Sequence, residues 1–391
     1  MVPLARVMIS RASRRERTAG PGRSEAMPSP DDHAPVRGAE AVVLVGGRGT
    51  RLRPLTLSAP KPMLPTAGVP FLTHLLSRIR AAGITRVVLS TSYQAETFTE
   101  YFGDGSGMGL ELEYVTEHEP LDTAGAIRNV SDRLREPDVL VFNGDILSGV
   151  DLPALVGEHR AASADVTLHL VRVEDPSRFG CVPTDEDGRV TAFLEKTPNP
   201  PVDQVNAGCY VFRREVVEGI PAGRPVSVER ETFPGLLESG ARLHGYVDSS
   251  YWLDLGTPAA FARGSADLVR GVAPTDALDG RVGESLVLPG ASVAESASLR
   301  GGTTVGAGCA VAERALLSAA TLFEGARVDA DAEVTDSVVG AGAVIGEGAV
   351  LRGAVVADGA VVGAGCELLE GVRVWPEVEL PPGGVRFSHD C

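Results

Sequence analysis

The sequence predicts an α/β domain built on a mostly parallel sheet, followed by a second domain of short stacked strands. Three observations carry that prediction. From residue 41 to residue 142, short apolar runs alternate with stretches of helical spacing. Two of those runs end in polar or glycine-rich turns, Gly46-Gly47 and Asn143-Gly144-Asp145. Beyond Ala273, aliphatic residues recur every six positions among dense glycine and alanine.

The first 38 residues stand apart, with seven arginines, Pro/Ser/Asp-rich text and no apolar run of the kind a secretory signal needs. Residues 1–38 are therefore expected to be a disordered tail. Residues 41–45 then read as a β-branched strand, and 71–82 as a helix with Leu72, Leu75, Leu76 and Ile79 on one face. Strands at 86–90, 112–115 and 138–142 alternate with helices at 94–102 and 124–134. This alternation argues for a parallel sheet covered on both faces, with ligands beyond the carboxyl ends of its strands. The next part is less regular. Strands are expected at 165–173, 205–212 and 251–254, a hairpin at 181–194, and helices at 226–238 and 258–270. The expected domains are 39–271, a linker at 272–285, and 286–391.

The repeat beyond that point fits neither a helical period nor simple alternation. Val293, Leu299, Val305, Val311, Leu317 and Phe323 read as one register. A five-residue step then leads to Val328 and Val334, a second to Val339, Ile345 and Leu351, and a third to Val356, Val362, Leu368, Val374 and Leu380. A hexapeptide repeat explains this, each hexad giving one short strand and a corner with its aliphatic residue inside a prism. The pattern resembles the left-handed parallel β-helix.

Composition narrows the function classes. A formal net charge of −16 argues against a nucleic-acid partner. No apolar run is long enough to span a bilayer. The five cysteines include no C-x-x-C pair and no Cys/His cluster of zinc-ligand spacing, so reduced thiols in a cytosol are expected.

The chemistry concentrates after the first strand. In Gly46-Gly47-Arg48-Gly49-Thr50-Arg51 the glycines let the backbone approach a ligand, and exposed N–H groups suit oxyanions. The run matches neither the dinucleotide fingerprint nor the P-loop. A plain tight turn would read the same way, but Arg51, Arg53 and Lys61 follow closely and suit phosphate. Of the chain's 36 lysines and arginines, only Lys61 and Lys196 are lysines. Asp145 and Asp254 each end a strand, where an aspartate serves equally as a cap or turn residue. The histidines at 74, 118, 159, 169 and 244 fall on helix or strand text without evident partners. None lies between Gly245 and Ser388, which disfavours a β-helix acyltransferase with a histidine base.

The run from Leu44 to Met63 resembles the signature of the sugar-1-phosphate nucleotidyltransferases. So do Glu119-Pro-Leu-Asp-Thr-Ala-Gly125, Phe142-Asn-Gly-Asp145, Phe193-Leu-Glu-Lys196, Val205-Asn-Ala-Gly208, Ser227-Val-Glu-Arg-Glu-Thr-Phe-Pro234 and Tyr251-Trp-Leu-Asp-Leu-Gly-Thr-Pro258. Within that family the resemblance is closest to the GDP-mannose pyrophosphorylases that carry a C-terminal β-helix. It implies a Rossmann-like nucleotidyltransferase domain followed by a left-handed parallel β-helix. It also implies a cytoplasmic enzyme joining GTP and mannose 1-phosphate into GDP-mannose and pyrophosphate with Mg²⁺. Leu44, Gly46, Gly47, Gly49, Thr50, Arg51, Lys61, Thr123, Ala124 and Gly125 would then bind nucleotide. Gly144, Glu195, Lys196, Asn206 and Gly208 would bind the sugar phosphate, and Asp145 and Asp254 the metal. Arg51, Lys61 and Asp145 would be catalytic. Asp122 departs from a common glycine and Thr197 from a common proline. Glucose 1-phosphate with UTP, dTTP or ATP keeps the same chemistry, and a non-catalytic paralogue that binds nucleotide sugars is the reading from another class. Exposed strand edges and coil ends make a homo-oligomer the expected assembly.

Overall fold

In the computed structural model, the structure describes residues 34–386 apart from Tyr93, Glu195, Thr197 and Asp279, and the side chain of Arg178 is not described. The chain joins the folded body before residue 39, earlier than the tail boundary expected. Val36 is buried in the main core, and its N–H donates to the carbonyl of Ala82 at 2.9 Å.

The main sheet contains β1 (Ala39–Leu44), β2 (Arg86–Thr91), β3 (Glu111–Thr116), β4 (Asp138–Asn143), β5 (Val166–Arg172), β6 (Gln204–Arg213) and β7 (Leu243–Asp248). Their order is β7-β5-β6-β4-β1-β2-β3. Only β6 runs antiparallel to its neighbours. The sheet is sandwiched as the unbroken apolar runs require. Ala41, Val43, Val87 and Leu89 pack into one core with the helix Phe71–Ala81, while Val42, Val88, Val139 and Val141 face a second core with Ile127, Phe212 and Phe233. This is the period of two of a strand buried on both faces.

Most expected elements appear within two residues of their predicted ends. The helix expected at 226–238 is divided. A π-helical turn, Val228–Thr232, comes first, capped by Ser227, whose hydroxyl accepts from the N–H of Arg230; an α-helix, Phe233–Glu238, follows. Pro234 falls in the first turn of that α-helix, where its missing N–H costs nothing. The helix at 124–134 is likewise shorter, Asp122–Asn129 followed by a 3₁₀ turn. The 181–194 hairpin survives only as isolated bridges, Cys181 with Leu194 and Thr184 with Val190. The helix Leu152–Ala161 and the edge strand β7 lie beyond the predicted set. Four cysteines, Cys181, Cys209, Cys309 and Cys366, are buried and unbridged, and Cys391 lies outside the described residues.

The C-terminal region forms three parallel sheets of six, six and five short strands, a prism consistent with a left-handed β-helix. Val305, Val311, Leu317, Val328, Val334 and their successors fill its axis with alanines. The register differs from the sequence reading at one point. Leu322, not Phe323, points inward, since Val305 pairs with Leu322 and Leu322 with Val339. The short step therefore lies between Leu317 and Leu322, and recurs between Val334 and Val339 and between Leu351 and Val356. In each of these three coils it falls at the same corner, where Ala319, Asp336 and Gly353 adopt positive φ. The tighter corner, not a local slip, produces the repeated five-residue step. Phe323 instead points outward and stands edge-on to Phe261 of the helix Pro258–Val269, with ring centroids 6.4 Å apart.

Candidate active site

The carboxyl ends of β1 and β4 lie side by side, so the glycine-rich turn and Asn143-Gly144-Asp145 open onto one space. The two turns are tied where Gly144 N–H donates to the carbonyl of Leu44 at 2.9 Å. A cleft of about 800 Å³ opens there, walled by residues 44–52, Lys61, Asn143-Gly144-Asp145, the loop 117–120, and Asp122 and Thr123 at the start of the next helix. Its position matches the rule for parallel sheets, and its size suits a nucleotide-sized ligand.

Local sequence explains how Lys61 enters this cleft. Gly49 holds φ +57°, and a Cβ there would lie 2.9 Å from Thr56 Cγ2 and 3.2 Å from Lys61 Cβ. Only glycine combines that backbone with such close approach. The chain then passes through 3₁₀ turns at Thr50–Leu52, Leu55–Leu57 and Lys61–Met63. Thr56 Oγ1 donates to Gly49 O at 2.9 Å and closes the loop on itself. Lys61 is thereby carried inward until its side chain is only 8% exposed.

Two aspartates meet Lys61. Ile146–Ser148 pairs antiparallel with Trp252–Asp254, and the register places Asp254 opposite Ile146. Asp145 and Asp254, distant in sequence, so become neighbours. Lys61 Nζ lies 2.8 Å from Asp145 Oδ2 and 3.7 Å from Asp254 Oδ1. Asp254 Oδ1 is buried and accepts no hydrogen bond from a described residue. Gly256 completes the corner, since a Cβ there would come within 2.8 Å of Arg51 Nη2 and 2.9 Å of Asp254 Oδ1. The guanidinium of Arg51, one ammonium and two carboxylates thus share a small volume at the edge of the cleft, which Arg51, Lys61 and Asp145 line while Asp254 lies behind Lys61.

The other expected residues divide. Leu44, Gly46, Gly47, Thr50 and Thr123 line the cleft alongside Gly49 and Arg51. Ala124 and Gly125 lie behind it, their N–H groups donating to Val226 O at 2.8 and 3.2 Å. Asn206 and Gly208 sit on β6, beside β4. The amide of Asn206 donates to Tyr210 Oη at 2.8 Å and Glu229 Oε1 at 2.7 Å, and its oxygen accepts from Gly208 N–H at 3.0 Å. Lys196 is exposed and does not line the cleft, and Glu195 lies outside the described residues.

Sequence reasoning gave no site role to Ser92, Glu117, His118 or Gly256, all of which line the cleft, and His118 lies in the loop after β3 and not on a helix or strand. Glu117 follows β3 directly, which is the positional signal that could have found it. Its carboxylate accepts from Ser90 Oγ at 3.0 Å and from Leu121 N–H at 3.3 Å, while burial raises its pKa. The histidines also have partners that the sequence did not reveal. His74 joins Thr66 O to Thr275 Oγ1, both at 2.8 Å, His159 contacts Thr167 Oγ1 at 2.9 Å, and His169 contacts Asp248 at 2.8 Å.

Comparison with known proteins agrees with this geometry. A family model described as nucleotidyl transferase matches residues 40–271, and one described as the GMPPB C-terminal domain matches 281–383. A mannose-1-phosphate guanylyltransferase of Mycobacterium tuberculosis is 64% identical over 352 residues, covering 90% of this chain and 98% of that protein. Mannose-1-phosphate guanylyltransferase 1 of Arabidopsis thaliana is 32% identical, covering 77% and 85% respectively. The solved structure of HddC from Yersinia pseudotuberculosis in complex with GMP-PN superposes with a TM-score of 0.52 at 27% identity, covering 59% of this chain and 99% of that one. With a parallel-sheet cleft, a glycine-arginine loop and a hexapeptide prism matched along the chain, this protein belongs to the nucleotidyl transferase family, among the mannose-1-phosphate guanylyltransferases.

Proposed function

We propose that this chain joins GTP and mannose 1-phosphate into GDP-mannose and pyrophosphate, by in-line attack of a sugar-phosphate oxygen on the α-phosphorus. The observation that carries the reading is the placement of Lys61 and Arg51 beside Asp145 and Asp254 at the edge of a cleft walled by Gly46–Arg51. Such a reaction needs no covalent enzyme intermediate. Its barrier comes from bringing two anions together and from charge gathering on the leaving pyrophosphate, so positioning and electrostatics supply the catalysis.

In this reading the N–H groups of residues 46–50 and the fork of Arg51 hold the nucleotide phosphates. Lys61 places a second positive charge among them. Leu44 and Thr123 flank the nucleoside, with Ala124 and Gly125 supporting that wall. Lys196, Glu195, Asn206, Gly208 and Gly144 would take the sugar phosphate. Support for that half comes from the seat of Asn206 and Gly208 on the strand next to β4, whose end carries Gly144.

The residues present fit Mg²⁺. Two hard carboxylates face one point, and Asp254 presents a buried oxygen that accepts no hydrogen bond from a described residue. Among the described residues no group of three or more His, Cys, Asp or Glu gathers as a self-sufficient metal cage. Asp145 and Asp254 would hold the ion and substrate phosphates would complete its shell, as suits Mg²⁺. When bound, the ion would neutralise phosphate charge as a Lewis acid.

A domain division near 271–286 and a cytoplasmic location belong to the same reading. No helix among the described residues is long and apolar enough to cross a membrane. A homo-oligomer assembled through coil ends is proposed with it. The direct test is pyrophosphate release from GTP and mannose 1-phosphate with Mg²⁺. Turnover confined to UTP, dTTP or ATP with glucose 1-phosphate would move the substrate assignment.

A further inference from the structure

We propose that Arg373, on the β-helix, is a positioning residue for the loop that carries Arg51 and Lys61. The inference rests on the reading that this loop grips the nucleotide phosphates. Arg373 Nη1 donates to Arg51 O at 3.0 Å and to Arg53 O at 2.6 Å, bridging more than 300 residues of sequence. Those two carbonyls bracket the last residue of the turn Thr50–Leu52, whose own bonds run from Leu52 N to Gly49 O at 3.0 Å and from Arg53 N to Thr50 O at 3.2 Å. One guanidinium nitrogen therefore pins the backbone on both sides of Leu52, at the carbonyl of Arg51 itself.

The contact belongs to a continuous face. Val338 pairs with Val355, and Val355 with Arg373, so the three form one column on successive coils. Their neighbours Val339, Val356 and Val374 point into the prism. Val338 and Val355 point out and are buried with Phe323 against Leu52, Leu55 and Leu64. The column thus offers two apolar side chains to the underside of the loop and then a cation with several N–H donors to its carbonyls. Short 3₁₀ turns have little stability of their own. The catalytic domain fixes both ends of this loop, at β1 and at Lys61, while the β-helix holds its middle. The C-terminal domain is then part of the catalytic apparatus, acting through loop geometry.

Arg373→Met removes the donors and keeps an apolar stem, while Arg373→Lys keeps a charge with three donors. In the full-length protein, Arg373→Met should lower kcat/KM for GTP roughly tenfold, a fraction of the ~10²-fold that a misplacement of a positioning group by about 1 Å can cost. KM for mannose 1-phosphate and Tm should match the parent. Amide exchange in residues 49–64 should quicken, and Arg373→Lys should restore most of both losses. Parental kinetics with parental exchange in Arg373→Met would overturn the latch alone. A loss confined to mannose 1-phosphate would overturn the assignment of this loop to the nucleotide, on which the latch rests. A fall for both substrates in proportion to a fall in Tm would reduce Arg373 to a stability contact and overturn the proposal.

Discussion

Replacing Lys61 with methionine removes an ammonium and keeps most of the stem. The consequences follow from its position. With Nζ 2.8 Å from Asp145 and 3.7 Å from Asp254, the gross attraction to each carboxylate is on the order of 5 kcal/mol at an effective dielectric near 20. Desolvation of a side chain only 8% exposed cancels much of it. The two carboxylates stay 38% and 29% exposed, so water can take over part of their solvation. The net loss of folding stability should therefore be about 1–3 kcal/mol, between a surface pair and a fully buried one. The loss in rate should be larger. A preorganised donor aimed at developing charge contributes about 3–4 kcal/mol, a factor of roughly 10² to 10³. The assay is continuous detection of pyrophosphate with GTP and mannose 1-phosphate, run beside thermal denaturation so that folded protein is counted. A folded Lys61→Met enzyme within threefold of the parent rate would refute the reasoning.

Other perturbations test separate parts of the account. Gly256→Ala places a methyl group against Arg51 and Asp254, and should cut kcat/KM at least tenfold with Tm little changed, read by the same assay with calorimetry. Asp254→Asn removes the charge of a carboxylate whose buried oxygen accepts no hydrogen bond from a described residue. It gives up the 3.7 Å attraction to Lys61 but relieves repulsion from Asp145 across the shared ammonium, so Tm should stay close to the parent while the Mg²⁺ concentration for half-maximal rate rises by about tenfold in a metal titration. Burial pushes the imidazoles of His74 and His159 down to about 4, so both are neutral when folded at neutral pH. The stability they confer is full above the ordinary value of 6.5 and is lost as pH falls toward 4, so denaturant midpoints should decline across that window and decline less in a His74→Gln, His159→Gln double variant. Leu351→Ala opens a cavity in the fully buried prism axis and should cost about 2–5 kcal/mol of β-helix stability by denaturant unfolding.

The sheet was legible because its strands are buried on both faces, and apolar runs such as 41–45 and 138–142 are too short for helices, rich in valine and closed by glycine-containing turns. The prism was legible because a period of six belongs to neither helix nor simple strand. The corner position was not, because Leu322 and Phe323 are adjacent and both apolar, and only packing on Phe261 decides which faces outward. The division of the 226–238 helix escaped because the spacing of apolar residues does not register a π turn. In the site, Lys61 stood out through composition, and the two aspartates through strand ends and family motifs. Their meeting at one ammonium depends on an antiparallel pairing across more than a hundred residues, which no local pattern encodes. Gly256 stood inside a family motif, but its role is the absence of a side chain beside Arg51 and Asp254, which a motif does not show. The partners of His74 and His169 come from other parts of the chain, so sequence showed only the imidazoles. Arg373 was invisible for the same reason, being one arginine among many until the coils align it with Val338 and Val355.

The central claim is that the cleft over Lys61, Asp145 and Asp254 joins a nucleoside triphosphate to a sugar 1-phosphate. The most direct measurement is pyrophosphate release by the purified chain with Mg²⁺, comparing GTP, UTP, dTTP and ATP against mannose 1-phosphate and glucose 1-phosphate. The account predicts the highest kcat/KM for GTP with mannose 1-phosphate and none without the divalent ion. Absence of pyrophosphate from every pair, with folded protein, would contradict it.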